Sequence, residues 1–242
     1  IPFYSADTSS IYTTDVSGTD DTASGNSAYG YQALDAITTG DDNTAIGRLA
    51  MTETTTGAYN IAVGVGAMYA NTTGSDNTAV GRMALGGAVN TGTQNNAIGT
   101  ESLNLNTGGQ YNQAMGAQAL FKNTTGDYNI ALGQSAGRQN QTGDENVSIG
   151  YRAMYSNTVS DNTAVGSQAL EANTTGTGLV AVGYQALTAN TTAAGNTAVG
   201  FDALKANTTG TRNLAIGYKA YDAADTENDN LAIGYNAMTT NT

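Results

Sequence analysis

The sequence predicts an all-β protein, a parallel β-solenoid with coils of about 17 residues. Three observations predict it. First, the element Asn-x-Ala-Val/Ile-Gly returns thirteen times, its glycines standing at Gly30 and then at Gly47, Gly64, Gly81, Gly99, Gly116, Gly133, Gly150, Gly166, Gly183, Gly200, Gly217 and Gly234. Second, ten of the twelve steps are 17 residues, one is 18 and one is 16, so the phase holds across the chain. Third, each coil offers only about two large apolar side chains, too few to fold alone, so neighbouring coils must stack. The 242 residues therefore read as a one-dimensional array and not as two globular domains.

Residues 1–25 lie outside the repeat. Ile1, Phe3, Tyr4, Ile11, Tyr12 and Val16 give this leader some apolar content, and it is expected to be a cap or a docking strand. The chain starts at Ile1 without an initiator Met, as a processed product or excised segment would. Residues 26–242 are the repeat domain.

Positions are numbered here within one coil from its Asn. Position 1 is Asn26, Asn43, Asn60, Asn77, Asn95, Asn112, Asn129, Asn146, Asn162, Asn196, Asn213 and Asn230, with Leu179 the one departure. These amides are expected to stack on each other from coil to coil as a hydrogen-bonded ladder. Position 3 is Ala except at Ser148, position 4 is aliphatic after the first coil, and position 8 is Ala except at Ser102. Positions 1–4 read as a short strand, and alternation puts positions 2 and 4 on one face. The aliphatic position 4 is expected to point inward, leaving Ala at 3 and 8 as flat faces for neighbouring chains. Gly at position 5 suits a sharp bend or close backbone approach.

Positions 6–9 read as a second short strand, with Leu or Met at 9 pointing inward. A helix there is short, preceded by Gly, and marginal. Positions 10–17 carry NTTG at Asn71–Gly74, Asn123–Gly126, Asn173–Gly176 and Asn207–Gly210, and read as a turn. Both departures from 17 fall in this segment, where length changes are tolerated. Strands about 4.8 Å apart would make thirteen coils a shaft on the order of 60 Å long.

The motif Asn-x-Ala-Val/Ile-Gly-x-x-Ala resembles the head repeats of YadA-like trimeric adhesins. It is closer still to the NTAVGYQAL-type repeats of phage tail fibres and bacterial surface fibres. The resemblance covers Asn26 to Met238. It implies a left-handed β-roll, association of three chains, and a structural or adhesive role in an extracellular fibre. Seventeen residues is longer than the typical head coil, and the excess lies in the NTTG loop. No anchor, stalk or terminal chaperone domain is visible, so the chain would be a segment of such a protein.

Composition bounds the chemistry. Net charge is −12 with only 8 Lys and Arg, so no basic footprint for nucleic acid or anionic membrane exists. No apolar run approaches the ~20 residues of a membrane span. His and Cys are absent, which removes two common catalytic groups, and no enzyme is expected. The carboxylate pairs Asp20–Asp21, Asp41–Asp42 and Asp144–Glu145 read as solvated turn residues. Calcium is the one candidate cofactor, because acids precede the position-1 Asn at Asp42, Asp76, Glu145, Asp161 and Asp229. Polysaccharide or ice binding is the alternative function. Position 6 carries Tyr31, Tyr151, Tyr184, Phe201, Tyr218 and Tyr235, a row that could hold a glycan or pack between chains. Seven glycosylation sequons occur, at Asn71, Asn123, Asn140, Asn146, Asn173, Asn190 and Asn207. Homo-oligomers are expected: a side-by-side trimer, an end-to-end filament with Ile1–Val16 covering the Tyr235–Thr242 end of the next copy, or both.

Overall fold

A computed structural model describes residues 11–12, 22–223 and 226–239. The rest of the leader, the Asp20–Asp21 pair and the Thr240–Thr242 end of the expected filament contact lie outside the described residues. The described chain is a helix-free parallel β-solenoid of about 17 residues a turn, in two compact units, Ile1–Thr125 and Gly126–Thr242.

The first unit holds the two-residue strand β1 (Ile11–Tyr12) and six three-residue strands: β2 (Ser27–Tyr29), β3 (Thr44–Ile46), β4 (Ile61–Val63), β5 (Thr78–Val80), β6 (Asn96–Ile98) and β7 (Gln113–Met115). The second holds β8 (Ile130–Leu132), β9 (Val147–Ile149), β10 (Thr163–Val165), β11 (Val180–Val182), β12 (Thr197–Val199), β13 (Leu214–Ile216) and β14 (Leu231–Ile233). Within each unit every strand pairs parallel with its sequence neighbour, at identical repeat positions: Ala45 with Ala62, Ala181 with Ala198. The 18-residue coil keeps this register too, Ala79 facing Ala97. β1 pairs parallel with β2.

The strand faces are the reverse of the expected ones. Ala at position 3 is the inward residue, 0–4% exposed throughout, while position 4 looks out: Ile46 is 45% exposed and Ile216 39%. Crowding explains the reversal. Leu34, Met51, Met68, Leu85, Leu103 and Leu120 at position 9 are buried, as are the position-1 asparagines from Asn26 to Asn213. A coil this narrow has room opposite them for a methyl group only. In the second unit Ala153, Met154, Ala164, Ala169 and Leu170 join one apolar core of the same composition. The alanines at 3 and 8 therefore fill the interior and offer no flat outer face, which removes the Ala-mediated contact between chains.

Positions 6–9 form turns and not a second strand. Position 8 donates its N–H back to the position-5 carbonyl, as Ala67 does to Gly64. Positions 7 and 9 then take left-handed backbone, as at Gln118 (φ 59) and Leu120 (φ 47). Their amides still reach neighbouring coils: Leu49 N–H donates to the Tyr31 carbonyl and Met51 N–H to that of Ala67. Stacking rather than strand geometry satisfies the backbone here.

Candidate functional site

Two asparagine rows run through each unit. At position 1, Asn60 Oδ1 accepts the backbone N–H of Asn77 at 3.0 Å, and Asn60 Nδ2 donates to the Gly74 carbonyl at 2.8 Å and to Asn43 Oδ1 at 3.0 Å. The link from backbone N–H to the preceding Oδ1 likewise joins Asn26 to Asn43, Asn77 to Asn95, Asn95 to Asn112, Asn129 to Asn146, Asn146 to Asn162, Asn196 to Asn213 and Asn213 to Asn230. Leu179 interrupts the row: its N–H donates to Asn162 Oδ1, but it returns no acceptor to Asn196.

The second row, at position 12 and in the 18-residue coil at Asn90, two places later, was not foreseen beyond its turn chemistry. Asn90 Nδ2 donates to Asn71 Oδ1 at 2.7 Å, Asn106 Nδ2 to Asn90 Oδ1 at 2.8 Å, and Asn190 Nδ2 to Asn173 Oδ1 at 3.0 Å. The signal was present in the recurrence of the first Asn of NTTG. Both length changes flank this row without breaking it, the step being 19 residues from Asn71 to Asn90 and 16 from Asn157 to Asn173. All seven sequon asparagines are at most 3% exposed, six of them in this row and Asn146 at position 1. The folded chain thus offers none of them to a glycosylating enzyme.

The position-5 glycines have φ between 129° and 144°. A Cβ on Gly64 or Gly200 would lie under 3.0 Å from backbone of the matching Gly in the next coil. Bend and close approach both require glycine here.

The calcium-candidate acids have a backbone explanation. Position 17 is left-handed whatever residue fills it: Asp76 at φ 58°, Tyr111 at 58°, Arg212 at 58°, Gly195 at 70°. Asp is enriched in that conformation. Among the described residues no three acidic groups converge as a metal site.

Outside, the position-4 side chains form an in-register apolar row in each unit, and position 2 adds Ile61, Val180 and Leu231 among polar residues such as Thr44, Thr78, Asn96, Gln113 and Thr197. Ile61, Val80, Ile98 and Met115 are exposed in the first unit, and Val180, Val199, Ile216, Leu231 and Ile233 in the second. One residue past the bend, Tyr184, Phe201, Tyr218 and Tyr235 stack at centroid distances of 5.1, 5.2 and 5.2 Å, with ring planes within 19°. Their faces are spent on one another and their edges look out. Sugar rings stack on aromatic faces, so this row suits edge packing better than glycan binding. Threonines at position 13 are in register, Thr55 Oγ1 donating to the Thr72 carbonyl and Thr174 Oγ1 to that of Thr191. They are regular, as an ice-binding face would need, but their protons are committed within the solenoid.

Three ion pairs tie adjacent coils: Arg82–Glu101, Arg152–Glu171 and Arg212–Asp229. The hydrogen bond from Arg212 holds the Asp229 carboxyl below its ordinary range, and that bond raises Arg212 in turn. No helix of the described residues is long and apolar enough to cross a membrane. No family model, curated protein or solved structure matches the chain.

Proposed function

We propose that this chain is a self-associating structural segment of an extracellular fibre, on a virion tail or a bacterial surface, with an adhesive role open to it. The observation that carries the reading is the inverted strand. From β3 onward each strand buries its Ala, or Ser148 in β9, and turns an apolar position-4 side chain outward, repeated in register from coil to coil within each unit. Monomeric proteins rarely expose large contiguous apolar patches, and such patches mark association surfaces. The stacked rings beside it widen the apolar surface in the second unit. The occupant we propose is another copy of the chain, three copies being what the resemblance to adhesin head repeats implies. The association runs through the Val and Ile rows, not the alanines.

Sedimentation and light scattering at micromolar concentration test it. Ile98→Lys with Ile216→Lys places two charges on exposed positions, so each copy should keep its fold by circular dichroism while the oligomer dissociates. A monodisperse monomer of the unaltered chain overturns the reading, as does an oligomer indifferent to both substitutions.

A further inference from the structure

In the first unit a cleft of about 330 Å³ is lined by Arg48, Leu49, Val65, Gly66, Tyr69, Arg82 and Met83. We propose that it binds one hexuronate residue of an acidic polysaccharide, a reading that does not rest on self-association.

The cleft exists because of two local substitutions in the repeat. Arg48, Val65 and Arg82 are successive position-6 residues, so the arginines flank a short side chain two coil rises apart, about 9–10 Å at the backbone. Position 7 of the middle coil is Gly66, whereas its neighbours carry Leu49 and Met83. The missing side chain opens the floor. Its volume sits at the lower end of small-ligand sites, which run from about 300 Å³ upward.

Charge selects the ligand class. Arg82 is paired with Glu101, and Glu101 also accepts from Gln118 Nε2 at 3.0 Å, so this guanidinium is held in place. Arg48 is exposed, and among the described residues no side chain pairs with it. Two guanidiniums and one carboxylate leave the cleft with one net positive charge in a chain of net −12. That balance suits one carboxylate better than a doubly charged phosphate. Guanidinium matches carboxylate geometry through paired N–H donors. The remaining lining, Leu49, Val65, Tyr69 and Met83, is apolar and calls for a ligand body with a hydrocarbon face. A pyranose ring bearing one carboxylate supplies both.

Titration calorimetry of the full chain with a galacturonate trisaccharide, its methyl ester and the neutral galactose trisaccharide is the test. The acid form should bind with Kd of about 1 mM or tighter, and the other two should not. Arg48→Gln should weaken binding about tenfold. Gly66→Gln should abolish it by refilling the floor. Gln already occupies this position at Gln32, Gln118, Gln168 and Gln185 with φ between 52° and 60°, against 66° at Gly66, so the backbone accepts it. The contact to be relieved is the flexible end of Met83. If Gly66→Gln nevertheless fails to fold, Arg48→Gln on an exposed position still decides. No heat at about 10 mM ligand overturns the proposal. Equal affinity for acetate overturns the sugar assignment, and binding unchanged in Arg48→Gln overturns the site. A change confined to oligomeric state in that variant would assign the cleft to a second copy's carboxylate and overturn it equally.

Discussion

At the scale of single residues, the asparagines carry the structure where a globular protein would use larger apolar side chains. Asn60 is buried, and its amide makes three hydrogen bonds, to Asn43, Gly74 and Asn77. Asn60→Leu keeps the volume and adds apolar surface, so a hydrophobic account expects a gain. The hydrogen-bond account expects a loss, because the Asn77 N–H is left buried without its acceptor, at a cost of about 1–3 kcal/mol. We expect the urea midpoint to fall accordingly with the far-ultraviolet spectrum unchanged. A stabilised variant would make the ladder incidental. Leu179 shows that one interruption is tolerated within a long row. The position-1 row was legible in the sequence because it repeats. Which residue of the strand faces inward was not, since alternation permits either face and only the crowding by Leu or Met at position 9 chooses.

At the scale of one coil, three constraints close 17 residues into a turn: the position-5 glycine, the left-handed residues at 7, 9 and 17, and the position-12 amide. Left-handed backbone costs an L-residue roughly 1–2 kcal/mol. Leu, Met, Gln and Tyr accept that cost because their amides find partners in a neighbouring coil, Leu49, Gln118 and Tyr59 in the preceding one and Met51 in the following one. The sequence reads as a second short strand at positions 6–9 with Leu or Met at position 9 pointing inward; the inward residue is right and the strand is not, because nothing local in a side chain signals a left-handed turn enforced by stacking. The glycine bend was legible, since only glycine serves there. Gly200→Ala combines φ 144° with a collision against the Gly217 backbone. We expect it to cost more than about 3 kcal/mol, read as a large drop in thermal midpoint or failure to accumulate as soluble protein. The same substitution at Gly108, where a Cβ meets nothing within 4 Å, is the control and should be near neutral.

At the scale of the molecule, each unit is built by addition of near-identical coils, each contacting only its neighbours. Stability in such arrays is a sum of coil and interface terms, without a single central core whose loss is fatal. The deletion of one whole coil is the sharpest consequence. Removing residues 44–60 joins Asn43 to Ile61 and takes out one full period. The new neighbours are β2 with β4, where Ala28 would face Ala62 and Asn26 Oδ1 would still receive the Asn43 N–H. Asn43 Oδ1 would receive the N–H of Asn77 in place of that of Asn60, because both stand one period on. Position 9 would run Leu34 to Met68, both buried and of similar volume. Every ladder is thus rejoined like to like. Removing residues 44–52 instead, about half a period, sets strand residues against turn residues and breaks both amide rows. We expect the 17-residue deletion to fold with the same β-rich spectrum and a modestly lower denaturation midpoint, and the nine-residue deletion to lose cooperative unfolding. Equal damage from the two deletions would mean that the fold depends on its particular coils and not on their period.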